Sequence, residues 1–169
     1  MNLKESTSEL HKIAERMEFN RRMVGGELTK EEYIEYLHQQ YFIFKSIECY
    51  PLPNESLNRV QFVLDDIEEL GLFDNKLLSE STKKYVDHIL SLNRETILPH
   101  VYLNYLALVY GGQMIKRKVI GSGKMYDFDN KDECINSIRK IQSDEWSDEV
   151  NEGFKFIIKI LDELQNTIR

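Results

Sequence analysis

Leu10, Ile13, Ala14 and Met17 recur at i, i+3, i+4 and i+7, which predicts an amphipathic helix from about Leu3 to Met17 with His11 beside its apolar stripe. After Gly25 and Gly26, Thr29 and Glu32 form a capping-box pattern. It opens a second helix through Tyr33, Tyr36, Leu37, Tyr41, Phe44 and Ile47, which Pro51 and Pro53 end. Asn54 or Ser56 is the predicted cap of a third, whose apolar positions Leu57, Val60, Val63, Leu64, Ile67 and Leu70 run to a stop at Gly71. A fourth is expected from Ser81 to Asn93. From about Glu95 to Lys118 comes the most apolar stretch, helical by length, with Gly111 and Gly112 inside it. A loop opened by Gly121, Ser122 and Gly123 carries Tyr126, Asp127 and Phe128. Ile135, Ile138 and Ile141 then mark another helix. Ser147 caps the last, in which Val150, Phe154, Ile157, Ile158, Leu161 and Leu164 face inward.

This pattern contains no strand, repeat or linker, so the expectation is one all-α bundle spanning residues 1–169. A chain of this length buries roughly two thirds of its unfolded surface without help from disulfides. Cys49 and Cys134 lack metal-ligand spacing and read as free thiols of a reducing compartment. Lys plus Arg number 22 against 29 Asp plus Glu, a net charge of −7, which excludes a nucleic-acid surface because phosphate contacts need a basic excess. Neither end carries a signal-peptide core or a hydrophobic tail, so a soluble, cytoplasmic, monomeric protein is expected, with no membrane partner.

Two segments then stand out. His11 has a carboxylate, Glu15, one turn later on the same helical face, the arrangement that fixes the tautomer of a metal-binding imidazole. An ordinary half-buried histidine beside a solvated glutamate has the same spacing. Gly111 and Gly112 cost about 1 kcal/mol each against alanine inside a helix. They permit a kink and close approach of a flat ligand such as haem, and equally a helix end or a tight helix crossing. Basic residues that could meet carboxylates of such a ligand are Lys4, Lys116, Arg117, Lys118, Arg139 and Lys140. Tyr41, Phe44, Tyr102, Tyr105 and Phe154 fall on inward stripes, first as core and secondly as stacking surfaces. His38, His88 and His100 share no ligand spacing and read as structural or exposed, and no zinc or dinuclear carboxylate motif is visible.

The run Leu3-Lys4-Glu5-Ser6-Thr7-Ser8-Glu9-Leu10-His11-Lys12-Ile13-Ala14-Glu15 resembles the opening of heme oxygenases, and the likeness continues through Glu18-Phe19, Leu28-Thr29, Tyr41 and Glu48. His100-Val101-Tyr102 through Gly111-Gly112-Gln113 resembles the family's distal helix, and Phe154 to Leu164 its last one. The middle and the segment near Asp144 look shortened. The resemblance implies a fold in which haem lies between the first and distal helices, with His11 as axial ligand and Glu15 as its hydrogen-bond partner. Lys4, Tyr102, Gly111, Gly112, Arg139 and Phe154 complete the expected cofactor contacts. It further implies that O₂ and electrons from a ferredoxin or reductase open the ring to biliverdin, CO and iron.

The distal motif departs from the family. Where heme oxygenases usually place Gly then Asp before the paired glycines, this chain has Ala107 and Leu108. The family's carboxylate orders the water that delivers a proton at the iron, and leucine has no group for that. Tyr41 and Asn104 match places near the family's water network and, with Gly111 and Gly112, are the expected catalytic positions. Ser8 stands where animal members often have a basic residue. Two readings follow: a heme oxygenase, or a haem protein for storage, delivery or sensing.

Overall fold

A computed structural model of the chain describes residues 1–71 and 78–167, and every regular element among them is helical. The helices are α1 (Leu3–Ser6), α2 (Ser8–Arg16), α3 (Glu18–Val24), α4 (Lys30–Ile47), α5 (Val60–Leu70), α6 (Glu80–Leu90), α7 (Leu98–Lys116), α8 (Lys131–Arg139) and α9 (Ser147–Thr167). Their packing gives the all-α bundle expected from the periodicity. Its main core gathers residues of α3 to α9, among them Phe19, Ile34, Phe44, Val63, Tyr85, Tyr105 and Ile138. A smaller apolar cluster of Leu3, Ala14, Leu103, Val150 and Phe154 lies beneath the N-terminal helices.

Local chemistry moves several predicted boundaries. The first helix is cut in two: Asn2 and Glu5 form a capping box, and the Thr7 hydroxyl donates to the Leu3 carbonyl at 2.8 Å. The Leu3 side chain is fully buried and its N–H donates to Asp144 Oδ1 at 2.8 Å, so a tertiary contact fixes that break. The short α3 buries only Phe19 and Met23, too few apolar positions to give a periodic signal. Asn54 caps a 3₁₀ turn, Glu55–Leu57, rather than a helix. α5 begins at Val60, and Ser79 rather than Ser81 marks the start of α6 by accepting from Thr82 N. Gly71, at φ 81°, is the left-handed stop expected after Leu70. Ser147 is the first residue of α9, and Ser143 caps the 3₁₀ turn before it. α7 stays helical through Gly111 and Gly112.

α7 is held by groups from both sides. The Glu48 carboxylate, at the end of α4, accepts the opening N–H groups of α5, from Arg59 (2.9 Å) and Val60 (3.3 Å), and also the Tyr105 hydroxyl of α7 (2.8 Å). Burial pushes its pKa up, partly opposed by those hydrogen bonds. Beside it Arg59, 1% exposed, spends its guanidinium on five carbonyls: Ser56, Leu57, Asn58, Met125 and Asp127. It also lies 3.7 Å from the centre of the Phe128 ring. Burial pulls its pKa down to about 10 against the attraction of Glu48. Asp66 accepts from the Lys124 and Met125 N–H groups, both at 2.9 Å. These contacts set the 124–127 segment, and Tyr126 is thereby pressed against Gly112 of α7.

Tyr105→Phe leaves the half-buried Glu48 with one donor fewer and should cost about 1–3 kcal/mol in urea unfolding; an unchanged midpoint would deny the hydrogen bond any structural weight. On the opposite side of α4, Arg22 grips Glu32 with two bonds of 2.6 Å, and these hold the Glu32 carboxyl below its usual range despite burial. A pKa depressed on folding stabilises above the unfolded value, near 4.5, and that stability is lost as pH falls through the folded value. Arg22→Met should therefore lower the urea midpoint at about pH 7 and do so far less near pH 3.

Candidate functional site

Because α2 is amphipathic, its outer face carries His11 and Glu15 one turn apart, and His11 Nε2 lies 3.0 Å from Glu15 Oε1. The imidazole also stacks on the Phe154 ring of α9, with centroids 5.4 Å apart and planes at 20°. α7 passes opposite and presents Tyr102, Leu106 and Tyr110, spaced four residues apart so that all three share one face. Lys4 of α1 and Arg139 at the end of α8 close two of the edges. Together these residues line a cavity of about 390 Å³, within the usual size of small-molecule sites, roughly 300–1,000 Å³.

Lys4, His11, Glu15, Tyr102, Arg139 and Phe154, named from separate parts of the sequence, thus meet in one cavity. Gly111 and Gly112 are not among its lining residues. A Cβ at Gly112 would lie 3.2 Å from Tyr126 Cβ and Cδ1, so that glycine serves helix-to-loop packing. At Gly111 a Cβ would meet nothing within 4 Å, which leaves the backbone open to approach.

A second cavity, about 170 Å³, lies against the first, and Leu103 and Ala107 border both. Such a volume admits several waters. Leu108, 7% exposed, contributes an apolar wall. The polar residues are Asn20, Tyr36, Gln40, Asn104 and Tyr126, the last with its hydroxyl turned to Tyr33. Gln40 Nε2 donates to the Tyr36 hydroxyl at 2.9 Å, and burial raises the Tyr36 pKa to about 12, so the phenol stays protonated. Asn104 spends both amide hydrogens, on the His100 carbonyl and on the Tyr85 hydroxyl, each at 2.9 Å. Its Oδ1 is left as the acceptor for water. Tyr41 borders neither cavity; its ring packs on Phe42 and lies 5.5 Å from Lys45 Nζ.

Nothing in the sequence marks Tyr36 and Gln40 as cavity residues: Tyr36 sits on a helical stripe that reads as core, and Gln40, one turn later, belongs to no motif. Gly153 was equally silent: a Cβ there would collide with Leu103, and its absence lets α9 cross α7 closely. His88 and His100, twelve residues apart, share no ligand spacing, yet α6 and α7 bring both onto Glu149 of α9. His100 is fully buried, and burial lowers its pKa against the pull of Glu149, which keeps it neutral. Among the described residues no helix is long and apolar enough to cross a membrane.

Residues 1–161 match the family model described as Heme oxygenase. The chain belongs to the heme oxygenase family. Among curated relatives, heme oxygenase of Rhodella violacea is 27% identical across 98% of this chain and 86% of its own length. That of Pyropia yezoensis is 30% identical across 75% and 64%. The fold is that of solved heme oxygenases. Heme oxygenase-1 of the cyanobacterium Synechocystis, determined in complex with heme, superposes with a TM-score of 0.84 at 22% identity, covering 98% of this chain and 91% of that one. The enzyme of Leptospira interrogans gives 0.82 at 24%, covering 95% and 97%.

The two glycines of this heme oxygenase family helix predict opposite outcomes. Gly111→Ala should raise stability by roughly 0.5–1 kcal/mol, the usual gain of alanine in a helix. Gly112→Ala should lower it by about 1–3 kcal/mol, because Tyr126 is buried and cannot yield. Thermal unfolding of the two variants side by side decides the matter, and equal shifts would contradict the packing described.

Proposed function

We propose that this chain binds haem in the larger cavity and opens it to biliverdin, CO and iron, using O₂ and electrons from a ferredoxin or reductase. The observation that carries the reading is the convergence of an imidazole with its carboxylate, a stacking ring and two edge cations on one cavity, in a chain of the heme oxygenase family. His11 is the metal ligand. Glu15 holds one ring nitrogen and thereby fixes the tautomer in which the other keeps its lone pair free. Phe154 and Tyr102 supply flat apolar walls for a macrocycle. Lys4 and Arg139 lie where carboxylate side groups of the substrate would be paired.

The smaller cavity carries the proton chemistry in this proposal. Bound haem supplies both the metal that activates O₂ and the carbon skeleton that is oxidised. The protein's part is to keep water ordered beside it. Asn104 Oδ1 accepts from that water, and the protonated Tyr36 hydroxyl, itself accepting from Gln40, donates to it. Leu103 and Ala107 border both cavities, so water held in the smaller one would lie beside the larger. Gly111, although outside the cavity lining, carries a backbone that nothing covers on its Cβ side, which would leave room for a ligand reaching past Tyr110. These neutral groups take over a task that a carboxylate at position 108 performs elsewhere in the family.

Leu108 favours a second reading, haem binding without turnover, for storage, delivery or sensing, because the buried leucine offers water no hydrogen bond. One set of reactions separates the two. Haem titration of the chain should give a Soret band that His11→Ala shifts and weakens. Under O₂ with a reductase or ferredoxin, that band should decay while biliverdin absorption grows. Decay without biliverdin, or no decay at all, would reject turnover. If only Leu108→Asp then produces biliverdin, the binding reading stands. A chain that gives no Soret band would overturn both.

A further inference from the structure

His88, His100 and Glu149 come from three different helices, and their ligand atoms all lie within 4.8 Å of one another. His88 Nε2 and His100 Nε2 point at the same carboxylate oxygen, Glu149 Oε1, at 2.6 and 2.7 Å. None of the three borders either cavity. From this geometry we infer a binding site for a divalent first-row transition-metal ion, held by His88 Nε2, His100 Nε2 and Glu149 Oε1.

The donor set decides the class of ion. Two imidazoles and one carboxylate suit Zn²⁺, Fe²⁺ or Co²⁺ and disfavour Mg²⁺ and Ca²⁺, which take oxygen ligands. Metal–ligand lengths of about 2.0–2.2 Å place tetrahedral donors roughly 3.3–3.6 Å apart. The two hydrogen-bonded pairs would open by less than about 1 Å to reach that spacing. Both imidazoles direct a ring nitrogen inward, and an ion would replace the two protons now shared with one oxygen. His88 and Glu149 are 27% and 31% exposed, which gives the ion a way in and leaves water a fourth position. The wholly buried His100 anchors the other side.

The surroundings preset the ligands. Phe156 stacks on Tyr85, with centroids 5.1 Å apart and planes at 14°, and lies at the same distance from the His88 ring. The Tyr85 hydroxyl sits 2.7 Å from His100 Nδ1. A metal-ligating histidine normally donates through its second nitrogen, and Tyr85 stands where the partner of a metal-bound His100 would be. The bonding also fixes what the ion changes. Asn104 Nδ2 must face the His100 carbonyl, which only accepts, so its other hydrogen goes to the Tyr85 oxygen. Tyr85 then donates to His100 Nδ1, and His100 carries its proton on Nε2, toward Glu149. Taking Nε2 for a metal moves that proton to Nδ1 and turns the Tyr85 hydroxyl into an acceptor. Occupancy is therefore felt at Asn104, on the wall of the smaller cavity.

The test titrates the full chain with Co²⁺, reading the visible ligand-field bands of a low-coordinate ion, and then displaces it with Zn²⁺. One equivalent should bind, be displaced one for one, and resist Mg²⁺. Glu149→Gln and the half-exposed His88→Gln should each weaken binding by more than the roughly 10–100-fold typical of losing an outer-shell partner. Tyr85→Phe, which removes such a partner, should fall within that range. Proton NMR of the wild-type Co²⁺ form gives a check that needs no variant: two shifted imidazole N–H signals are expected, that of His100 slow to exchange. No uptake, binding that both substitutions leave unchanged, or binding that His11→Ala abolishes instead would overturn the assignment.

Discussion

One half-buried carboxylate, Glu48, fixes how α7 is turned against α4 and α5. Glu48 caps α5 and accepts from Tyr105, and each bond draws on the same low-dielectric site that raises the carboxyl pKa. A charge so enclosed is stable only while its donors stay in place, which makes the three helices mutually dependent. Tyr105 is one residue from Asn104 and two from Ala107. If α7 turned about its axis by one residue, about 100°, both would leave their cavity walls.

From that fixed phase the division of labour on α7 follows. Tyr102, Leu106 and Tyr110 face the larger cavity, Asn104 and Leu108 the smaller, and Val101, Tyr105 and Val109 the main core. Leu103 and Ala107 sit on the boundary. A helix occupied on three sides must be apolar around most of its circumference, unlike a surface helix with a single stripe. Gly112 and Gly153 bring the neighbours close enough for this: one admits Tyr126, the other lets α9 approach at Leu103. The small cluster of Leu3, Ala14, Leu103, Val150 and Phe154 then supports the floor under His11.

The same circumstance explains what could be read in advance. The amphipathic helices were legible because α2, α5, α6 and α9 carry an apolar stripe, and the Thr29–Glu32 box that opens α4 and the Gly71 stop carry local capping chemistry. Most of the larger cavity was legible too, through resemblance, since its residues other than Arg139 lie in segments that look like heme oxygenases. The breaks at Thr7 and Val60 were not, because Asp144 and Glu48 impose them from far along the chain. Nor were Tyr36, which shares a stripe with core residues, and Gln40, one turn later, because facing a void leaves no mark in the sequence. Tyr41, named for its place in the motif, lies one residue past Gln40 and so on another side of α4. The meeting of His88, His100 and Glu149 depends on three helix packings and leaves no spacing to find.

Leu108 bears on the chemistry in a specific way. A leucine in the wall of a small wet cavity does not leave a charge unpaired, so the pocket is self-consistent without an aspartate. What changes is the strength of the remaining hydrogen bonds. An ionised carboxylate binds water roughly twice as strongly as a neutral amide or phenol. Asn104 compensates in part by being locked: with both hydrogens committed to His100 and Tyr85, its oxygen cannot swing away from the cavity. In the proposed function, order is then supplied by a pre-set neutral acceptor rather than by charge. That order is only as firm as the hydrogen-bonded chain behind Asn104, which runs through Tyr85 and His100 to a carboxylate at the protein's edge.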